Sequence, residues 1–346
     1  MVGQERGGMR ARMTAAKAAL QPAPPVCLWE TAPRSPAAGG EARARREARP
    51  LRVGIPHAMG FYEHGAVWAR MFTLLGCDVV FSPLTSRQIL DWGVRATVTE
   101  FCLPVKVLAG HVRALAGKAD VIFLPRCLSS AEGEMSCPKA CALPDVVRLS
   151  FEDSVEVLEA AVDPDRFADE HEAVRLDAVA GRLGVPEETV REALAQAGRS
   201  QAAAAPELSG RTIVLLGHPY VLEDPCISME LAKKLRARGF GTVMPRDLPY
   251  KERRADVHPY DGKAFYTIGL DILGAVHVLA RRPEVCGMIY LTPFGCGIDA
   301  LVAAHVEQHL REGARRIPFM KLTVDEQTGE AGFDTRVEAF LDMMEE

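Results

Sequence analysis

Nine cysteines stand in a chain of 346 residues, and three of them sit where a sulfur could do chemistry. Cys296 lies within VCGMIYLTPFGCGIDALVAA, between an apolar run ending at Thr292 and a helix-spaced run beginning at Asp299. That spacing predicts a strand, a reversal around the cysteine and a helix. The thiol is then presented at a strand's carboxyl end, where the loops and helix N-termini of an open α/β sheet offer free N–H groups. Gly295 and Gly297 leave room on both sides for something bulky. Cys102 follows a short run expected as a strand, 97–101, and the Leu103-Pro104 after it suits a first helical turn. Cys137 lies in a long loop after a strand ending at Leu124 and is also followed by proline. Thiolates gathered in a cleft favour a soft metal, zinc or an iron–sulfur cluster. Three ligands leave a structural zinc incomplete unless a His or fourth Cys joins, whereas a [4Fe–4S] cluster can keep one iron open. None of the three has the short internal spacing of a zinc ribbon or ferredoxin, so three unrelated packing cysteines is the competing reading.

The other candidates divide by position. Cys77 and Cys286 fall inside expected strands and read as core, and Cys27 is in the N-terminal tail. Cys127, Cys141 and Cys226 are in loops and could supply a fourth thiolate, Cys141 being best placed four residues after Cys137. His218, in the run His218-Pro219-Tyr220 after a strand, could donate a proton or support a ligand from behind. His57, Glu63 and His64 hold a similar position after the first strand. Lys106, His111 and Arg126 either face an anionic ligand or are solvated surface charge. Asp325, Glu326, Thr328 and Glu330 read as a polar loop whose side chains bond to one another. The patterns GxxxxGK[ST], GxGxxG opening a helix after a strand, and GxSxG are all missing, so no nucleotide site is recognisable.

Elements that could position these residues follow from periodicity. Strands alternate with helices from Leu51 onward, which predicts α/β architecture: two Rossmann-like, doubly wound and mainly parallel lobes enclosing a cleft. The expected boundaries are an N-terminal α/β lobe over 51–150, a helical linker or clamp over 151–205 and a C-terminal α/β lobe over 206–346. Within the linker, helices are expected over 155–162, 164–183 and 186–204. Residues 1–50, rich in Ala, Arg, Gly and Pro, are expected to be disordered, and a translation start downstream of them is an equal reading. With 48% hydrophobic and 25% charged residues the composition supports a sizeable core. A net charge of −5 argues against nucleic acid as a partner, and no apolar run reaches membrane-spanning length. An odd number of cysteines without a secretory signal points to a reducing, cytoplasmic setting.

Six segments together carry a resemblance: VGIPHAMGFYEHGAVW, EFCLPVKVLAGHV, LPRCLSSAEGEMSCPKACALPD, LLGHPYVLEDP, FGCGIDALV and LTVDEQTGEAGFDTRVEAFLDMM. In this ordered set the chain resembles the acyl-CoA dehydratase activase-related proteins (DUF2229-like), relatives of the iron–sulfur component of 2-hydroxyacyl-CoA dehydratases. The resemblance implies a [4Fe–4S] or double-cubane cluster held between the lobes, with Cys102, Cys137 and Cys296 as ligands. It implies electrons from an ATP-hydrolysing activase of the actin/Hsp70-like superfamily, in a 2-hydroxyacyl-CoA dehydratase-like or ATP-dependent reductase system. DxGST-type phosphate motifs are absent, so that ATPase would be a separate chain. Whether a homodimer or a paralogous subunit also takes part is left open. The family's loop usually reads FGCGPD, and here Ile298 replaces the proline. Read without the resemblance, the same lobes fit a cluster-free binding or regulatory protein whose cleft takes an anionic small molecule, or, third, a zinc-binding scaffold.

Overall fold

In a computed structural model that describes residues 49–127, 134–151, 154–162, 175–198, 208, 210–255, 257 and 266–345, the chain builds two four-stranded parallel sheets. The first contains β1 (Arg52–Ile55), β2 (Asp78–Phe81), β3 (Val121–Cys127) and β4 (Val157–Val162), in the order β2-β1-β3-β4. Its helices are α1 (Phe61–Leu74), α2 (Arg87–Ala96), α3 (Leu103–Leu115), α4 (Pro138–Cys141), α5 (Leu143–Phe151), α6 (Asp177–Leu183) and α7 (Glu187–Gly198). The second contains β5 (Thr212–Leu216), β6 (Gly241–Val243), β7 (Val285–Pro293) and β8 (Phe319–Val324), in the order β6-β5-β7-β8. Its helices are α8 (Pro219–Leu222), α9 (Leu231–Ala237), α10 (Tyr250–Ala255), α11 (Thr267–Leu279), α12 (Gly297–Glu312) and α13 (Glu330–Glu345). Each order switches direction beside its first strand, which opens a crevice at the carboxyl ends of β1 and β3 and another at those of β5 and β7. The expected α/β fold with two lobes is therefore what forms.

Side-chain patterns explain the elements. β5 is buried at every position, as a central parallel strand covered on both faces must be. In α12 the buried residues Ile298, Val302, Val306 and Leu310 recur every four positions, the stripe of a helix laid against a sheet. α2 and α3 meet backbone to backbone: a Cβ at Gly110 would lie 1.9 Å from the Ile89 carbonyl oxygen, and one at Gly93 1.7 Å from that of Lys106. Any side chain there would force the helices apart and move the start of α3. The lobes are tied by Lys106 Nζ to Glu326 Oε1 (2.6 Å), Tyr62 Oη donating to Asp224 Oδ2 (3.0 Å), and Arg246 donating to the Tyr62 carbonyl (2.7 Å).

Several expectations need correction. The expected helix over 155–162 is the edge strand β4, paired in parallel with β3 from Ile122↔Val157 to Cys127↔Val162. Glu159 and its alanines are good helix formers, but burial there alternates with Leu158 and Ala160 inward, and tertiary pairing overrides propensity. The expected helices over 164–183 and 186–204 are shorter among the described residues, forming α6 and α7, and residues 163–174 and 199–204 lie outside them. α6 and α7 are not a bare connector: Val179, Val190, Ala193 and Leu194 share a core with Val67, Trp68, Met71 and Phe72 of α1. The expected strand over 97–101 is a turn, because α2 runs on to Ala96 and leaves too few residues. The N-terminal tail expected to be disordered lies outside the described residues up to position 48.

Candidate functional site

Cys102, Cys137 and Cys296 each occupy the N-cap of a helix: Cys102 for α3, Cys137 for α4 and Cys296 for α12. Proline at the first or second position after Cys102 and Cys137 supplies a helix start, and Cys137, directly before its proline, is held out of the α region by sterics. None of the three thiols closes its helix with a side-chain capping hydrogen bond. Cys102 therefore reaches a helix start from a turn rather than from a strand, while Cys296 follows β7 as its sequence predicts.

The three approach one another across the lobes. Burial, and then the charges of Cys296 and Cys137, push the Cys102 thiol up, while Lys139 and the Val105 N–H pull against them. Gly295, at φ +79°, carries the second-lobe loop past the first lobe, and a Cβ there would stand 4.0 Å from the Cys102 Cα. Lys139 Nζ bridges the same gap, donating to the Gly295 carbonyl at 3.4 Å and to the Glu100 carbonyl at 3.5 Å. Burial, and then the negative charge of the three sulfurs and Asp299, raises the Tyr220 phenol well above the ordinary range.

Behind Cys296 lies a buried polar chain. Asp299, with no exposed surface, sits in the first turn of α12 and accepts from Tyr290 Oη at 2.7 Å and Thr292 Oγ1 at 3.1 Å. Its Oδ1 is 3.1 Å from Nε2 of His218, itself the N-cap of α8, and that nitrogen is 3.8 Å from the Cys296 sulfur. His218 Nδ1 meets Tyr220 Oη at 2.7 Å. Burial opposes a charged imidazole, but the carboxylate and thiol beside it prevail and hold His218 well above its usual range. Burial likewise works against the Asp299 carboxylate, and His218 with the two hydroxyls outweighs it and holds the group low.

Residues 52–248 match the family model described as CoA enzyme activase uncharacterised domain (DUF2229). The chain belongs to this family. Cys102, Cys137 and His218 fall within the matched span, and Cys296 and Asp299 lie beyond it. No curated protein matches the chain.

The remaining candidates of this DUF2229 chain take structural places. Lys106 is neither solvated nor facing a ligand: it is buried and paired with Glu326. His111 is buried between Ser82 Oγ (2.8 Å) and Thr85 Oγ1 (2.9 Å). Arg126 bridges Asp145 (2.8 Å) and Glu159 (3.0 Å). The His57 ring bonds the Ser82 carbonyl, and Asp325 and Thr328 bond each other as expected. Cys77 is buried, Cys286 donates weakly to the Thr212 carbonyl at 3.4 Å, and Cys226 is exposed beside Asp224. Cys141 lies in α4 one turn after Cys137, and the side chain of Cys127 is outside the described residues. Sequence reasoning missed Asp299 and Lys139. The signal for the first was an acid three residues after Cys296 at a helix start, and for the second a cation directly after a Cys-Pro pair.

Proposed function

We propose that Cys102, Cys137 and Cys296 are the protein ligands of a [4Fe–4S] or double-cubane cluster, and that the chain is a low-potential electron-transfer component. Its family membership supports a role in an acyl-CoA dehydratase system, with electrons supplied by a separate actin/Hsp70-like ATPase activase. The observation that carries the reading is the convergence of three uncapped thiols, from both lobes, at three helix N-termini.

The donor set fits such a group. Burial, with a smaller push from the charges of Cys296 and Cys137, raises the Cys102 thiol, so a cationic core would offset the cost of holding thiolates here, and sulfur donors suit iron. A bound cluster would supply one-electron chemistry at low potential. Around it the chain's own residues have plain tasks. The N-termini of α3 and α12 favour negative charge at Cys102 and Cys296. His218 Nε2 lies between the Asp299 carboxylate (3.1 Å) and the Cys296 sulfur (3.8 Å), and Asp299, fixed by Tyr290 and Thr292, holds that imidazole beside the sulfur.

A second reading has one observation behind it: ligand atoms of His218, Cys296 and Asp299 all lie within 4.8 Å of one another, close enough to hold a zinc ion. Against it, Asp299 already accepts two hydroxyls and lies 3.1 Å from the His218 Nε2 that would have to bind the metal. Anaerobic purification separates the two. The cluster reading expects brown protein with iron, acid-labile sulfide and broad absorbance near about 400 nm. Cys296→Ala should remove most of the iron and Cys77→Ala should leave it. Stoichiometric zinc without sulfide, or equal iron in the two variants, would sink the assignment.

A further inference from the structure

At the switch point of the first sheet, where β1 and β3 end, lies a cavity of about 130 Å³. That is the place where open α/β sheets bind ligands. Its walls are chiefly apolar, with Met59, Leu108, Phe123 and Leu143 among them, and Cys137 also borders it. An engineered apolar cavity of about 150 Å³ is large enough for benzene. The space therefore suits a compact molecule of that size.

Two further observations point to an occupant. Trp68 lines the cavity and is 2% exposed, yet its indole Nε1 is buried with no hydrogen-bond partner among the described residues. A buried donor left unmade is costly, and an acceptor atom on a ligand would satisfy it. Met59, in the wall, holds φ at +52°, a left-handed conformation that non-glycine residues adopt mostly in turns and at binding sites.

Charge narrows the class. Among the described residues no lysine or arginine lines the cavity, whereas Glu63 and Asp271 do; Asp271 is already paired with Arg253 (3.1 Å) and Arg254 (2.7 Å), and the lining imidazole of His218 with Asp299 (3.1 Å). His64, also in the lining, is kept neutral by burial and by the charge of Arg246, which press its pKa down to about 3. A phosphate or carboxylate entering here would lose its water and meet only one cation, His218, which the buried Asp299 already matches. We propose that this cavity binds an uncharged small molecule with a compact apolar body and one hydrogen-bond acceptor, which takes the Trp68 indole N–H. The site adjoins Cys137, His218 and Tyr220, but its occupant would be held by the apolar wall and Trp68 rather than by a cluster, so each reading can fail without the other.

Cyclohexanone has this size and polarity and serves as the probe, titrated calorimetrically into the full chain with iron content measured in parallel. Saturable binding is expected, with cyclohexanecarboxylate at least about tenfold weaker because its charge would be stripped of water. Ala58→Leu, which fills the cavity from the turn after β1, should weaken the ketone at least about tenfold and leave iron unchanged. Trp68→Phe keeps the ring and removes the donor, and should cost about fivefold. No saturable binding to the wild-type chain overturns the proposal, and so does equal affinity for the carboxylate or in Ala58→Leu. Should Ala58→Leu misfold, undiminished affinity in Trp68→Phe counts against it in the same way.

Discussion

On the second-lobe side of the crevice, Cys296 stands in front of a fully buried carboxylate fixed by Tyr290, Thr292 and His218. On the first-lobe side, Cys102 and Cys137 rest on helix starts set by proline and by the packing of α2 on α3, and Lys139 ties them across the gap from a partly solvated position. One wall is organised by a polar network and the other by backbone shape. The two should respond to different perturbations, since a buried network fails when one member is removed whereas a packed seam fails when volume is added.

The contrast breaks most clearly at the carboxylate. Asp299→Ala leaves two hydroxyls and an imidazole facing an apolar gap. Breaking a buried pair by removing one partner typically costs about 3–5 kcal/mol. The lower end, about 3 kcal/mol, is expected here because His218 can discharge once its counter-charge is gone. Lys139→Ala, on the other wall, should change stability by no more than about 0.5 kcal/mol, as for an exposed side chain whose bonds are long. Urea unfolding of both variants at one pH makes the comparison, and equal losses would mean that the walls are not organised differently.

How much of this was legible in the sequence depends on the range of the interaction. The alternation of apolar strands with helix-spaced runs gave the α/β lobes, and proline after Cys102 and Cys137 marked two helix starts, because both signals are local. β4 was not legible: Glu159, Ala160 and Ala161 favour a helix, and what makes them a strand is pairing with β3, more than thirty residues earlier in the chain. Nor was the fate of Lys106, whose partner Glu326 is 220 residues away. Asp299 was visible as a residue but not as a role, since its significance lies in Tyr290, Thr292 and His218 arriving around it from β7 and from the loop after β5. The family match likewise ends before Cys296 and Asp299.

The first-lobe wall should break under added volume. Gly110→Ala places a methyl group 1.9 Å from the Ile89 carbonyl oxygen, where neither backbone can yield without moving α3. Overpacking of this kind costs about 1–3 kcal/mol, and the upper part of that range is expected because the obstacle is main chain. Gly181→Ala in α6 is the control: nothing lies within 4 Å, so the gain in helix propensity should stabilise by roughly 0.5–1 kcal/mol. Thermal unfolding reads both. If Cys102 is a ligand, Gly110→Ala should also lower iron content, whereas loss of stability with full iron would separate the seam from the site.

Acid should sharpen the comparison by the smallest margin. His111 lies in α3, nine residues after Cys102, and burial, followed by the charge of His57, presses its pKa down to about 3. Its ring contacts Ser82 and Thr85, and Thr85 in turn bonds Asp224 of the second lobe. In the unfolded chain the same imidazole takes up a proton near about pH 6.5. The folded state holds it neutral, so this stability is complete above that value and drains away as pH falls toward about 3. At pH 5 the loss from this one group should be about 2 kcal/mol, at about 1.4 kcal/mol per pH unit. His111→Gln removes the titration while keeping a side chain that can bond both hydroxyls. Denaturant unfolding of the two proteins from pH 7.5 to about pH 5 should therefore show a steeper decline for the wild type. Parallel curves would mean that the imidazole takes up its proton in place, and that the first-lobe wall tolerates a charge this packing should refuse.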